Sequence, residues 1–165
     1  MSPQQEQEFE AFYRREERRV LRLAYGVLHD PGLAQDAAQD AWIRYLRYAD
    51  GPRAQFSVPL LVTVALNVAR DAQRRQRRHP EDLQADVGAT SADGAPADRD
   101  LVDAIGKLPQ PEREAVLLHY ALDLPLAEVA TVLQRRTGAV KSILHRARGH
   151  LRALLTLEEG ISHGR

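Results

Sequence analysis

Apolar residues fall at three- and four-residue steps along most of this chain, and prolines break the pattern at intervals. From Gln5 to Leu28 the apolar set Phe9, Phe12, Tyr13, Val20, Leu23, Ala24, Val27 and Leu28 predicts one amphipathic helix. Asp30 followed by Pro31 predicts a new start, with an acid to cap the helix and a proline in its first turn. That second helix runs to about Tyr48, turns Leu33, Ala37, Ala41, Trp42, Tyr45 and Leu46 inward, and stops at Asp50-Gly51-Pro52. Trp42 lies on the apolar stripe, so core packing is its expected role. A third helix from about Val58 buries Leu61, Val62, Ala65, Val68 and Ala72 and ends in arginines. Four further helical stretches follow at about 98–107, 111–122, 125–133 and 137–155, and no β-strand or internal repeat is expected. The reading is all-α: a helical bundle of three or more helices over 5–78, a linker over 79–97, a four-helix domain over 98–156, and a tail over 157–165.

The linker is set apart by composition and charge. The chain holds 23 basic and 23 acidic residues, yet they are segregated. Residues 70–78 contain five arginines against Asp71; residues 81–103 contain seven acids against Arg99; residues 135–152 contain six basic residues and no acid. Two basic blocks around an acidic one suit contacts with phosphate backbones. The acidic stretch, rich in Gly, Ala, Ser and Asp, has linker composition, and its 19 steps from His79 to Asp98 span at most about 65 Å.

The last two helices have helix-turn-helix form: Leu126 to Leu133, a turn of three or four residues, then a basic helix. In that motif the second helix lies in the major groove and needs one apolar and one polar, basic face. Val140, Leu144, Ala147 and Leu151 step along the inner face, and Lys141, His145, Arg148 and Arg152 along another, with Ser142 beside them.

Residues 108–118, 126–130 and 138–148 resemble region 4 of bacterial sigma factors, within the extracytoplasmic-function (ECF) group that keeps only regions 2 and 4. Phe9 to Tyr13 and Ala34 to Trp42 resemble regions 2.1 and 2.2, and Leu61 to Arg78, with Asn67 and Asp71, resembles regions 2.3 and 2.4. The segments occur in the family's order. The resemblance implies a protein that binds core RNA polymerase and directs it to promoters, without being an enzyme itself. Asp36, Gln39, Asp40 and Arg44 would dock on the clamp helices of the largest polymerase subunit. Asn67, Arg70, Arg74 and Arg75 would face the −10 element, Arg77 and Arg78 would hold phosphates, and the loop 49–57 would correspond to the one that captures an unstacked base. Lys141, Ser142, His145 and Arg148 would meet the −35 major groove, with Arg136 and Arg146 on flanking phosphates; Arg148 suits either base or phosphate. An anti-sigma protein is a further partner common in the family.

Departures from the family pattern occur at Leu60, Thr63 and Leu66, and at Gln134, Arg135 and Ile143. Gln134 stands where a turn glycine is usual, which implies a differently built or mildly strained turn. Losing basic side chains at 63, 66 and 143 is expected to remove phosphate contacts and flatten the salt dependence of DNA binding. The acidic linker has three open roles: nucleic-acid mimicry, masking of the basic helices, or simple solvation. Two other functions remain open, a helix-turn-helix regulator acting without polymerase and a sigma-like decoy or adaptor. The absence of cysteine removes disulfides and thiolate sites, and the six scattered histidines have no helical metal spacing. No metal, cofactor or catalytic site is expected. The polar opening MSPQQEQEFE and the lack of a long apolar run lead to the expectation of a cytoplasmic protein with no membrane span.

Overall fold

Ser2 starts the first helix with a capping box: its Oγ accepts from the Gln5 amide (3.3 Å), and Gln5 Oε1 accepts from the Ser2 amide (2.9 Å). The computed structural model describes residues 1–51, 55–79 and 96–162, with side chains of the last stretch described for 99–157. The first helix, α1, spans Pro3–Leu28 and closes on His29 in the left-handed conformation. In α2 (Pro31–Ala49) the Asp30 carboxylate caps the Leu33 amide at 3.0 Å, with Pro31 in the first turn. Ser57 caps α3 (Val58–Arg78). The described residues fall into two units, one within Met1–Val87 and the other within Gly88–Arg165.

In the first unit α1, α2 and α3 all pack on one another. Leu23, Tyr45, Leu61, Val62 and Leu66 are essentially inaccessible to water, and burial of such side chains is the main favourable term in folding. One end of the bundle is aromatic. Phe12 stacks on Tyr45 and on Phe56, with ring centroids 5.7 and 5.5 Å apart, while Trp42 meets Phe9, Phe12 and Tyr45 edge-on. Trp42 is therefore a core residue, only 7% exposed. The other end is tied by polar groups: Gln73 and Gln76 of α3 donate to the carbonyls of Val27 and Leu28 at the end of α1 (3.3 and 3.4 Å). Those carbonyls have no partner within their own helix, so the glutamines satisfy what the helix end cannot.

The second unit comprises α4 (Pro96–Gly106), α5 (Gln110–Val116), a π-helical turn (Leu117–Ala121), α6 (Leu126–Leu133) and α7 (Thr137–Ser162). Here α7 is the spine against which α4, α5 and α6 pack. The unit begins two residues before the expected helix start at 98, and α7 runs on past 155 to Ser162. The stretch expected as one helix over 111–122 is instead an α-helix that widens after Val116; the Leu122 amide reaches the Leu117 carbonyl five residues back (3.1 Å). Every regular element among the described residues is helical, and none of these helices is long and apolar enough to cross a membrane. Most of the acidic linker, residues 80–95, lies outside the described residues, as do 52–54 of the loop 49–57.

Candidate nucleic-acid interface

Leu126 to Leu133, three turn residues and α7 build the helix-turn-helix. The turn closes with Gln134 in the left-handed region, φ 53° and ψ 46°, while the amides of Gln134 and Arg135 reach back to the carbonyls of Thr131 (3.3 Å) and Ala130 (2.9 Å). This is the hydrogen-bonded geometry a glycine ordinarily serves. The turn is thus conventionally built, and the strain of a side chain at positive φ is what the substitution adds. On α7, Val140, Ile143, Leu144 and Ala147 are buried, and Lys141, Ser142, His145, Arg146, Arg148 and Arg152 are exposed, as is Arg136 in the turn just before it. Ser142 Oγ donates to the Gly138 carbonyl (3.1 Å), which leaves its lone pairs facing outward as acceptors. Lys141, His145 and Arg148, at i, i+4 and i+7, share one open stripe.

On α3, Asn67, Arg74, Arg77 and Arg78 are exposed and Arg70 is half-buried. Together they form a second basic stripe opposite the face that carries Leu61, Ala65 and Val68. Arg70 donates to Asn67 Oδ1 (3.5 Å) and Arg74 pairs with Asp71. The exposed Arg74–Asp71 pair is of a weak kind. Arg75, Arg77 and Arg78 also sit in the last turn of α3, where the helix dipole favours positive charge.

The structure separates residues that the sequence grouped. Asp36 and Asp40 line a groove between α2 and α3 that also contains Arg75. Gln39 lies on the other side of α2, in a groove against α1 lined by Tyr13, Leu21, Trp42, Ile43 and Leu46. Asp40 is half-buried and pairs with Arg44 at 3.0 Å; Asp36, Gln39 and Arg44 are exposed. Arg75 accordingly faces the α2–α3 groove rather than the stripe of the other α3 arginines.

The phosphate contacts expected to be lost at three substituted positions need correction at two. Leu66 and Ile143 are 1% and 2% exposed and belong to the cores of their units, so neither occupies a surface that a phosphate meets. Thr63 is half-buried and its Oγ1 donates to the Pro59 carbonyl (2.7 Å); Leu60 and Arg135 are exposed. The sequence reading missed Tyr120 altogether, because no spacing marks the π-helical turn that carries it. Arg148 Nη1 donates to its hydroxyl at 2.6 Å.

Both ends of the loop 49–57 are tied down: the buried phenol of Tyr45 accepts from the Ser57 amide (2.8 Å), and Gln5 Nε2 donates to the Gly51 carbonyl (3.0 Å). Burial raises the Tyr45 pKa above the ordinary phenol value, and the Ser57 hydrogen bond partly offsets that rise. Among the described residues no group of acidic, histidine or cysteine side chains is arranged to hold a metal ion.

Comparison with known proteins agrees with this architecture. Sigma-70 region 2 matches residues 12–79 and sigma-70 region 4 matches residues 98–151. The chain is 32% identical over 157 residues to the RNA polymerase sigma factor CarQ of Myxococcus xanthus, covering 89% of this chain and 88% of CarQ. It is 31% identical over 160 residues to the ECF RNA polymerase sigma factor SigK of a Mycobacterium species (strain KMS), covering 88% and 80% of the two chains. In fold it resembles the sigma factor RpoE of Bartonella quintana, solved in complex with the anti-sigma factor NepR, with a TM-score of 0.70 at 20% identity over 90% of this chain and 97% of that one. Two helical units, each carrying a basic stripe and each matching one sigma region in order, place the chain in the ECF group of the sigma-70 family of RNA polymerase sigma factors.

Proposed function

We propose that this ECF sigma factor binds core RNA polymerase and directs it to promoters, with α3 at the −10 element and α7 at the −35 element. The observation that carries the reading is the open stripe of Lys141, Ser142, His145 and Arg148 on a helix whose opposite face is buried in its own unit. None of those side chains is needed in the buried core of its unit, and the shape and charge of the helix suit the major groove. Arg136 and Arg146 flank the stripe and fit adjacent phosphates. On α3, Asn67, Arg70 and Arg74 face the −10 element, and Arg77 and Arg78 hold its backbone. Arg75, by its place beside Asp36 and Asp40, contributes through the α2–α3 groove. Polymerase docking uses α2, with Asp36, Asp40 and Arg44 on one side and Gln39 beside the apolar α1–α2 groove on the other. An anti-sigma protein, the kind of partner seen with the Bartonella quintana relative, is a further partner. The test is run-off transcription with core polymerase from the same host and DNA from upstream of the protein's own gene. A discrete transcript that requires this protein is the expected result. A stable polymerase complex on which no promoter DNA yields a transcript indicates a decoy, and no complex at all indicates a regulator acting alone.

A further inference from the structure

Tyr120 reaches α7 from outside the helix-turn-helix. It lies in the π-helical turn, 47% exposed, and its ring packs edge-on against His119 at 4.8 Å between centroids. The turn is braced from both sides. His119 Nδ1 lies 2.9 Å from the Leu124 carbonyl, which can only accept, so that nitrogen carries the proton. The Leu124 amide in turn reaches the Leu118 carbonyl at 3.1 Å. Wide turns of this kind re-aim side chains and recur at functional sites. Here the side chain so aimed meets Arg148, whose Nη1 donates to the Tyr120 hydroxyl at 2.6 Å.

We propose that Tyr120 and Arg148 form one phosphate-binding site for the backbone of duplex DNA, in which the tyrosine both positions the guanidinium and supplies a donor of its own. This rests on the promoter-binding reading above. A tyrosine hydroxyl has one proton to give and two lone pairs. While it accepts from Arg148, its own proton stays free, and the guanidinium keeps four further N–H groups. Among the described residues no carboxylate pairs with Arg148, so its charge is uncompensated where a phosphate would meet it. Position favours phosphate over base. Eleven steps from Thr137 carry Arg148 about 16 Å along the helix, beyond the roughly 12 Å width of the major groove. Base edges are read from the first turns of a recognition helix, while a residue this far along passes the backbone. A hydrogen bond between two open side chains adds little to folding, whereas holding a long, flexible arginine in place before binding removes an ordering cost from the complex.

The test uses holoenzyme made with the full chain and promoter DNA in which single phosphates near −35 are replaced, one at a time, by neutral methylphosphonates. Tyr120→Phe should weaken promoter binding about threefold to tenfold, and Arg148→Gln should also lower the salt slope by about 0.9. One methylphosphonate should weaken the wild type most and each single variant less, and the loss in the double variant should be smaller than the sum of the two single losses. Thermal unfolding of both variants should match the wild type, which separates this role from a structural one. Tighter or unchanged binding by Tyr120→Phe overturns the inference, since the tyrosine would then be masking the arginine or idle. Additive losses, or sensitivity at unrelated phosphates, overturn it as well. Lys141→Ala keeps the two readings apart. If it weakens promoter binding while Tyr120→Phe does not, only the inference falls; if wild-type holoenzyme binds no promoter, both fall.

Discussion

Glu112 Oε2 lies 2.6 Å from His150 Nδ1, joining the first turn of α5 to the middle of α7 across 38 residues of chain. Glu112 is only 7% exposed. A buried carboxylate is tolerable where it is hydrogen-bonded, and an acid in a helix's first turn also gains from the dipole. His150→Leu leaves that carboxylate without its partner and is expected to destabilise the second unit by about 1–3 kcal/mol. Glu112→Gln, which removes the charge but keeps hydrogen-bonding capacity, should cost less. Urea unfolding followed by circular dichroism measures both; equal losses would show that the pairing contributes nothing specific.

Gln134 carries a side chain at φ 53° in the turn between α6 and α7. Left-handed backbone costs a non-glycine residue about 1–2 kcal/mol, and the extra freedom of glycine in the unfolded chain returns about 0.4–1 kcal/mol of that. Gln134→Gly should therefore raise stability by up to about 1.6 kcal/mol, seen as a higher Tm with promoter binding unchanged.

Leu66 and Ile143 separate a core role from a DNA-binding one. Placing arginine at either position should lower stability by about 3 kcal/mol or more, because a charge replaces a packed side chain. The check is chemical denaturation of the two single variants. Variants that stay fully stable and bind DNA more tightly would restore the idea that these positions face phosphates.

Tyr45 gives the first unit a pH dependence with a definite sign. Its pKa is raised in the fold, by burial first, with the Ser57 amide acting the other way. The folded state therefore holds the phenol proton more tightly than the unfolded chain does. This contribution is present in full below the ordinary phenol value of about 10 and is lost as pH rises through the higher folded-state value. Tyr45→Phe should remove that alkaline loss and cost about 1 kcal/mol at neutral pH through the unpaired Ser57 amide. Stability measured against pH for both proteins tests the difference.

Much of this was legible in the sequence because it depends on local rules. The starts at Pro31 and Val58 follow from Asp30 and Ser57 as caps with prolines just after them. The exposed stripe of Lys141, His145 and Arg148 follows from the helical period once Val140, Leu144 and Ala147 define the inner face. Leu66 and Ile143 escaped because the buried faces are wider than the narrow stripes that periodicity marks. On α3, Val64, Leu66 and Ala69 are buried beyond the expected set, as a helix packed by two neighbours requires.

The sequence by itself determined which segments are helical, where they start, and where positive charge accumulates. Each of these depends on residues within a turn or two of one another: a cap and the amide it accepts from, apolar side chains at three- and four-residue steps, arginines in one block. Tertiary structure decided which polar groups meet across the chain. Gln73 and Gln76 reach the last carbonyls of α1, Tyr45 pins the amide that begins α3, Glu112 finds His150, and the π-helical turn brings Tyr120 to Arg148. No local pattern encodes such pairs. A hydrogen bond needs its partners within about 3 Å, and only the packing of whole helices sets distances that fine between residues tens of positions apart.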